Sequence, residues 1–277
     1  MAIKLIALDL DGTTLNSRKE LSPRTRKALC DACSSGVAVV PTTGRPRSGL
    51  PAEIISIPGI RYAVTSNGAS VYDLRQQKEL FVHPVDKDAA LWALDAADGL
   101  KAVTDIYLSG EAYTAAENFE RLLEIVPPEL KEYCRATRIR VPRQHDWLAA
   151  ETRPVEKLTL FFGSLQDRDK AWEFFLRCGR FEVASSVTNN LELNQRQVDK
   201  GLALTVLAEH LGLRREECMA CGDSFNDIPM LRTAGLGIAM GNAEPETRQA
   251  ADRITDTNDN DGVAKAVEAY VLGCGGV

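Results

Sequence analysis

The sequence predicts an α/β protein in which a parallel sheet with its helices is interrupted by a smaller α+β module. Three short apolar segments, at residues 3–8, 37–40 and 62–65, each stop at a polar turn that contains glycine. A helical pattern lies between the first two segments, and βα alternation of this kind is typical of a parallel sheet with its binding edge at the strand ends. The alternation resumes near residue 200. Between these parts, helices and hairpins follow in a different order, which indicates a separate module.

The first strand, at residues 3–8, ends at two acidic residues, Asp9 and Asp11. Its apolar residues do not alternate strictly with polar ones, as expected for a central strand covered on both faces. Residues i and i+2 of an extended chain point to the same side, so both carboxylates are expected to face one pocket while Leu10 points into the core. Close carboxylates repel each other, and this spacing suggests a divalent metal. A bare pair of this kind also fits two solvated loop acids.

The first helix is predicted to begin at Pro23, with Ser22 as its N-cap, and to end at Gly36 after about 12 residues. The inserted module is predicted at residues 84–187, so that residues 1–83 and 188–277 form the main domain. Its predicted elements are a helix at 86–100, a hairpin over 101–115, a strand at 155–163 and a helix at 167–178. A predicted strand pair over 180–194 crosses its second boundary. A helix at 201–212 and a strand running into the turn at 222–227 restart the main domain.

Composition and charge exclude several classes of function. The chain has 277 residues and a net charge of −6, which argues against a nucleic-acid or membrane-surface partner, since these usually require a basic excess. No apolar segment approaches transmembrane length, and the first residues do not resemble a signal peptide, so a cytoplasmic location is expected. No pattern in the sequence indicates an oligomeric state.

The seven cysteines are expected to be reduced thiols. Two CxxC pairs, at 30–33 and 218–221, could suggest zinc. The first pair falls in the predicted helix. The second falls in a predicted strand, where a three-residue offset points the thiols to opposite faces. Structural thiols are therefore the favoured interpretation of both pairs.

A second acidic turn, GDSFND at 222–227, also follows an apolar strand. Asp223 and Asp227 can close around one ion, and with Asp9 and Asp11 they give four carboxylates at strand ends of one predicted sheet. Oxygen ligands without histidine or cysteine suit Mg²⁺. Thr43 and Gly44 end the second strand and Lys200 opens a helix, where a hydroxyl, a backbone N–H and an ammonium could hold phosphate. A plain turn and a surface lysine are the alternatives for these three residues.

The ordered motifs resemble the Cof-type phosphatases of the haloacid dehalogenase superfamily. They cover nearly the whole chain: DLDGT at 9–13, TGR at 43–45, TSNGA at 65–69, DKG at 199–201, GDSFND at 222–227, AMGNA at 239–243 and DGVA at 261–264. The resemblance implies a Rossmann-like core with a cap of the α/β (C2) type, here the module at 84–187. It also implies a Mg²⁺-dependent phosphatase that acts on small phosphorylated metabolites, such as sugar phosphates or phosphorylated cofactors.

The resemblance further implies roles for the matching residues. Asp9 is similar to the nucleophile that forms an aspartyl-phosphate, and Asp11 to the acid/base. The phosphate-binding set would be Leu10 through its backbone, Thr43, Gly44, Lys200 and Asn226. The metal set would be Asp9, Asp11 (in this family often through its main-chain carbonyl), Asp223 and, in support, Asp227.

The sequence allows more than one role for several residues and more than one function for the protein. Asn242 could order the catalytic loops, Asn67 could do so or only form a turn, and Arg45 could reach the substrate or lie at the surface. His83, His145 and His210 are expected to be structural. The basic segment 135–143 is expected to be a solvated face, with contact to an anionic leaving group as the alternative. A phosphomutase, or a binding protein that has lost turnover, is an alternative to the phosphatase. The complete acidic set argues against a silent binder.

Overall fold

The structure, a computed structural model, describes residues 2–273. Its strands are β1 (Leu5–Leu8), β2 (Ala38–Pro41), β3 (Tyr62–Thr65), β4 (Ser70–Asp73), β5 (Lys78–Val82), β6 (Val103–Leu108), β7 (Glu111–Ala115), β8 (Arg138–Val141), β9 (Val155–Phe161), β10 (Phe181–Ala184), β11 (Asn190–Gln195), β12 (Cys218–Gly222), β13 (Leu236–Ala239) and β14 (Arg253–Ile254).

The helices lie between these strands and at the end of the described chain. They are α1 (Pro23–Ser34), α2 (Ala52–Ile55), α3 (Lys87–Gly99), α4 (Phe119–Ile125), α5 (Lys131–Thr137), α6 (Gln144–Ala150), α7 (Leu165–Cys178), α8 (Lys200–His210), α9 (Ile228–Thr233), α10 (Pro245–Ala250) and α11 (Gly262–Tyr270). Within residues 2–273, none of them has the length and apolar character that a membrane span requires. The predicted first helix is confirmed, with the Ser22 side chain accepting a hydrogen bond from the Thr25 N–H.

The chain forms two compact units. The first contains Met1–Thr43, Leu50–Phe81 and Asp199–Val277, and the second contains Gly44–Gly49 and Val82–Val198. The chain thus passes between the units at four points, whereas the sequence predicts two, after residues 83 and 187. The predicted boundary at 187 is too early because β11 pairs with β9 and β10 and so completes the second unit's sheet.

The first unit is built on a parallel sheet with the strand order β14-β13-β12-β1-β2. The predicted parallel sheet is therefore confirmed for β1, β2 and β12. β3 differs from the prediction, since it opens a separate three-stranded sheet, β3-β4-β5, and meets the end of β2 through a single parallel bridge between Thr42 and Val64. That bridge still brings the turn after β3 close to the end of β2.

The central strand β1 is covered on both faces, as predicted. Its side chains alternate between two apolar cores, one packed with α1 and α11 and the other with α8 and α9. Cys221 belongs to the first core and Cys218 to the second, so the 218–221 pair points to opposite faces of the sheet. The described cysteines are free thiols, and Cys30 and Cys33 lie within α1. Cys274 lies outside the described residues.

The second unit is built on a six-stranded sheet with the order β10-β11-β9-β6-β7-β8. Neighbouring strands are antiparallel except β7 and β8, which are parallel. One face of the sheet forms an apolar core with α3 and α7. The opposite face carries buried polar side chains, which we call the polar face: Asp105, Tyr107, Arg138, Lys157 and Glu192.

Buried charges on the polar face are paired. Arg138 lies 2.7 Å from Asp105, and Lys157 lies 2.7 Å from Glu192. The expectation that segment 135–143 is a solvated face is wrong for Arg138, because β8 pairs with β7 and directs this side chain onto the sheet. It holds for Arg135, Arg140 and Arg143, which are exposed.

Candidate active site

Three carboxylates meet where β1 and β12 end. Asp9, Asp223 and Asp227 each offer one oxygen, and these oxygens lie within 4.8 Å of one another. β1 and β12 are parallel neighbours, and the Asp9 N–H donates to the Cys221 carbonyl at 3.0 Å. The carboxyl ends of both strands therefore deliver their acidic turns to one place, which is where ligands bind in parallel α/β sheets.

Lys200, the first residue of α8, is fully buried among these carboxylates. Its Nζ donates to Asp9 Oδ1 at 2.7 Å and to Asp227 Oδ1 at 2.6 Å. Three carboxylates against one ammonium leave two negative charges uncompensated when all four groups are ionised. A buried group with this charge is complementary to a divalent cation.

The acidic turn after β12 is held by its own side chains. Asp227 Oδ2 accepts the N–H groups of Asp223 at 2.9 Å and Ser224 at 3.0 Å, so both Asp227 oxygens are already engaged. Gly222 is required here, because a Cβ at this position would lie 2.4 Å from the Asp227 Cβ. Thr13, from the first acidic turn, donates to Asp223 Oδ1 at 2.7 Å and so links the two turns.

The crowded carboxylates have altered proton affinities. Burial raises the pKa of Asp9 well above its usual value, and this outweighs the opposing effect of Lys200. Burial, with the nearby Asp227 charge, raises the pKa of Asp223 to about 7. Burial alone would lower the pKa of Lys200, but the Asp227 and Asp9 carboxylates more than reverse this and raise it. Without a cation, the site thus favours protons on its acids while its lysine stays charged.

The Asp11 carboxylate is not one of the three grouped carboxylates. It pairs with Lys19 at 2.9 Å, and both side chains are about one third exposed. The Asp11 charge still contributes to the raised pKa of Asp9, so the expectation that both acids serve one pocket stays a prediction. β1 ends at Leu8 and Leu10 already lies in a turn, so the two-residue repeat of a strand does not extend from Asp9 to Asp11. Leu10 points into an apolar core, as predicted.

Thr43 and Asn226 are both connected to Asn67. The Thr43 N–H donates to the Val64 carbonyl at 2.9 Å, and the Thr43 carbonyl accepts the Asn67 N–H at 3.1 Å. The Asn226 side-chain amide donates to the Asn67 Oδ1 at 3.2 Å. Asn67 adopts a left-handed backbone, with φ 57°, and so forms the turn and also contacts Asn226. Gly44, the next residue after Thr43, is the first residue of the second unit.

Asn242 connects the loop of Asp11 to the loop before α11. Its side-chain amide donates to the Gly12 carbonyl at 2.8 Å, and its Oδ1 accepts the Asn258 N–H at 2.9 Å. The Asn258 side chain in turn donates to the Leu15 carbonyl at 2.9 Å. Sequence reasoning missed Asn258 and Lys19, which lie outside the motifs that it used.

The other residues left open by the sequence lie elsewhere. Arg45 belongs to the second unit, where its guanidinium lies 4.7 Å from the centre of the Tyr133 ring. Within residues 2–273, the carboxylate group contains no histidine. His210 packs against the aromatic rings of Tyr62 and Phe81.

The chain is similar in sequence to known hydrolases. A family model for the haloacid dehalogenase-like hydrolases matches residues 6–267. The chain is 33% identical to the 5-amino-6-(5-phospho-D-ribitylamino)uracil phosphatase YcsE of Bacillus subtilis, over 98% of this chain and 96% of that protein. It is 27% identical to the pyridoxal phosphate phosphatase YbhA of Escherichia coli, over 98% of this chain and all of that protein.

A solved structure also matches. The structure of a haloacid dehalogenase-like hydrolase from B. subtilis superposes with a TM-score of 0.84 at 29% identity, covering 97% of this chain and 100% of that chain.

Proposed function

Because the chain belongs to the haloacid dehalogenase-like hydrolases, we propose that it is a phosphatase that hydrolyses phosphate monoesters of small metabolites through a phosphorylated Asp9. The observation that carries the proposal is the buried group of Asp9, Asp223 and Asp227 around Lys200. Relatives named for a phosphorylated pyrimidine and for pyridoxal phosphate support substrates of the same class, a phosphate ester on a small polar metabolite.

The acidic group fits Mg²⁺. Its donors are hard carboxylate oxygens, and the two uncompensated negative charges match one divalent ion. Asp9, Asp223 and the main-chain carbonyl of Asp11 would hold the ion. Asp227 would support it indirectly, since both of its oxygens already accept hydrogen bonds. When bound, Mg²⁺ would neutralise charge between the carboxylates and the phosphate.

In the proposed reaction, a carboxylate oxygen of Asp9 attacks phosphorus, and the bond from phosphorus to the leaving oxygen breaks. Asp11 gives a proton to that oxygen, and then takes a proton from the water that attacks the acyl phosphate. This second step releases inorganic phosphate and restores Asp9. Lys200 would orient Asp9 and, with the bound cation, would favour its ionised form against the effect of burial, since its ammonium lies 2.7 Å from Asp9 Oδ1.

Positioning and charge neutralisation supply most of the catalysis in phosphoryl transfer. Thr43, Gly44, Asn226 and the Leu10 backbone would hold the phosphate oxygens with neutral donors, beside the charged Lys200. The network that joins Thr43 and Asn226 through Asn67 supports a preorganised phosphate site.

The substitution Asp9→Asn tests the proposal, with p-nitrophenyl phosphate and Mg²⁺ as the assay. We expect loss of hydrolysis with the fold retained by circular dichroism, because an amide cannot attack phosphorus as a carboxylate does. Asp31→Asn is the matched control, since Asp31 is half exposed and pairs only with Lys27 among the ion pairs of the described chain. Activity retained in Asp9→Asn would contradict the nucleophile. A phosphate-release screen over phosphorylated metabolites then identifies the substrate.

A further inference from the structure

The turn after β3, at residues 66–68, has an unusual backbone. Ser66, Asn67 and Gly68 all lie in the left-handed region, with φ of 52°, 57° and 99°. Of the non-glycine residues with such a backbone in residues 2–273, only Ser66 and Asn67 are buried. This conformation is unfavourable for L-residues other than asparagine and aspartate, and a buried segment held in it points to a function for the turn.

Three other segments of the first unit meet this turn. The Asn67 N–H donates to the Thr43 carbonyl at 3.1 Å, just after β2. The Asn67 Oδ1 accepts the side-chain amide of Asn226 at 3.2 Å, in the acidic turn after β12. Gly68 packs against Asp199, the N-cap of α8, so closely that a Cβ on Gly68 would collide with the Asp199 carbonyl. The turn therefore joins segments that carry three of the proposed phosphate ligands.

The contact with Asn67 fixes the side chain of Asn226. Asn226 is buried, and within the described part of the chain this is the one hydrogen bond that its side chain makes. The nitrogen of a side-chain amide carries two N–H bonds, whereas its oxygen can only accept. If the Asn226 amide were flipped, its oxygen would face the Asn67 oxygen, which is unfavourable. The Asn226 nitrogen is therefore held toward the turn, and its second N–H stays available to an anion.

We propose that Asn67 is a positioning residue for phosphate binding: its side-chain oxygen fixes the amide of Asn226 so that the second N–H of Asn226 is presented to phosphate. This inference rests on the proposed function, in which Asn226 contacts phosphate, and both residues belong to the first unit. In this role Asn67 acts through Asn226 and does not itself bind phosphate. An asparagine that served only to form the left-handed turn could be replaced by glycine without loss of phosphate affinity.

The substitution Asn67→Gly tests this role. The measurements are binding of inorganic phosphate by calorimetry with Mg²⁺ present, and kcat and KM for p-nitrophenyl phosphate. Glycine adopts the left-handed backbone without steric cost, so the turn and its N–H bond to Thr43 are kept while the side-chain oxygen is lost. We expect phosphate to bind about fivefold more weakly, the scale of one neutral hydrogen bond. An unchanged affinity in the folded variant would contradict the proposal.

Gln77→Gly is the matched control. Gln77 also has a left-handed backbone, with φ 52°, but it is exposed and lies in the turn between β4 and β5. The control therefore makes the same change of backbone freedom in the first unit without removing a partner of Asn226. Its phosphate affinity is expected to equal that of the wild type.

A double variant tests whether Asn67 acts through Asn226. Asn226→Ala should bind phosphate about tenfold more weakly, since it loses a hydrogen bond to a charged group. If Asn67 acts through Asn226, the double variant Asn67→Gly with Asn226→Ala should match Asn226→Ala within about twofold. Losses that multiply to about fiftyfold would show that Asn67 acts by another route, and would overturn the proposal.

A measurement on the wild type decides the question should Asn67→Gly not fold. Nuclear magnetic resonance of protein labelled with ¹⁵N at asparagine resolves the two side-chain N–H protons of Asn226, which Asn226→Ala assigns. Addition of phosphate should shift one of these protons much more than the other, because the other is already bonded to Asn67. Equal shifts of both protons, or no shift of either, would overturn the proposal.

The outcomes separate this inference from the proposed function. A wild type that hydrolyses phosphate esters, with phosphate affinity unchanged in folded Asn67→Gly, overturns the positioning role and leaves the phosphatase standing. A wild type that hydrolyses none of the tested esters, but binds phosphate more tightly than Asn67→Gly does, overturns the phosphatase and supports the positioning role. A wild type that neither binds phosphate nor hydrolyses esters overturns both.

Discussion

Each unit of the molecule buries a lysine, and the two lysines have different surroundings. Lys157, in the second unit, contacts one carboxylate and one neutral carbonyl, and the nearby Arg138 is likewise matched by Asp105. Lys200, in the first unit, contacts two carboxylates, and the third member of the carboxylate group adds a further negative charge. Buried charge is therefore balanced on the polar face of the second unit and unbalanced at the strand ends of the first.

The two arrangements of buried charge are suited to different purposes. Matched buried pairs have no electrostatic need for a further ion, and their main effect is to restrict how strands and side chains pack. An unmatched group raises the pKa of its acids, as at Asp9 and Asp223, and is relieved when a cation binds. This charge imbalance supports the candidate active site more directly than burial or charge alone.

The largest expected effect comes from breaking a matched pair. Arg138→Met leaves Asp105 buried without its ionic partner, and we expect a loss of about 3–5 kcal/mol in the free energy of unfolding, measured by denaturant titration. The double variant Arg138→Met with Asp105→Leu should recover most of this loss, because it removes both charges. A double variant as unstable as the single one would show that the pair does more than balance charge.

A second prediction concerns the unmatched group. Lys200→Ala should lower kcat/KM for p-nitrophenyl phosphate by about 10²-fold or more, since it removes a preorganised positive charge from the proposed phosphate site. Lys27→Ala is the control, because Lys27 is exposed and pairs with Asp31 by an i,i+4 contact, so a change within about twofold is expected. An unchanged kcat/KM in Lys200→Ala would remove this residue from the site.

The smallest effect is the response of stability to Mg²⁺ and pH. Asp223 has a pKa of about 7 in the folded protein against 3.8 for a free side chain, so the folded state holds more protons than the unfolded state between these values. The stability of the cation-free protein should therefore fall as pH rises from about 4 to about 7. Mg²⁺ at ten times its dissociation constant should restore about 1.4 kcal/mol, read from thermal unfolding.

The Mg²⁺ increment should be larger at pH 8 than at pH 5 at the same total concentration, because protons compete with the ion for the carboxylates. Asp223→Asn should reduce both the increment and the pH dependence. An increment that does not change with pH, or that persists in Asp223→Asn, would place the ion elsewhere.

Local patterns in the sequence are sufficient to predict the parts of the first unit that depend on short-range geometry. Ser22 and Pro23 define the start of α1, and the three-residue offset of Cys218 and Cys221 correctly predicts opposite faces. The grouping of Asp9 with Asp223 and Asp227 follows because parallel neighbours end at the same edge. The roles proposed for these residues stay predictions.

The parts that could not be predicted depend on long-range pairing. The polar face follows from the register of β6, β9 and β11, and nothing local in the segment 155–163 distinguishes a buried Lys157 from one in solvent. The pairing of Asp11 with Lys19 depends on the turn at Leu10, which no local pattern in the sequence predicts. The sequence of segment 44–49 predicts a simple turn. Its contacts with other residues of the second unit, which the sequence does not show, make it part of that unit.

The order of strands in the parallel sheet also has a consequence for synthesis on the ribosome. β1 pairs with β12, and the register joins Leu5 to Cys218, so this neighbour is made only after most of the chain has been translated. The six-stranded sheet of the second unit has all its strands once Gln195 has been made. The inserted unit can therefore fold first, while the strand that leads to Asp9 still lacks half of its pairing, and the group of Asp9, Asp223 and Asp227 assembles only near the end of translation.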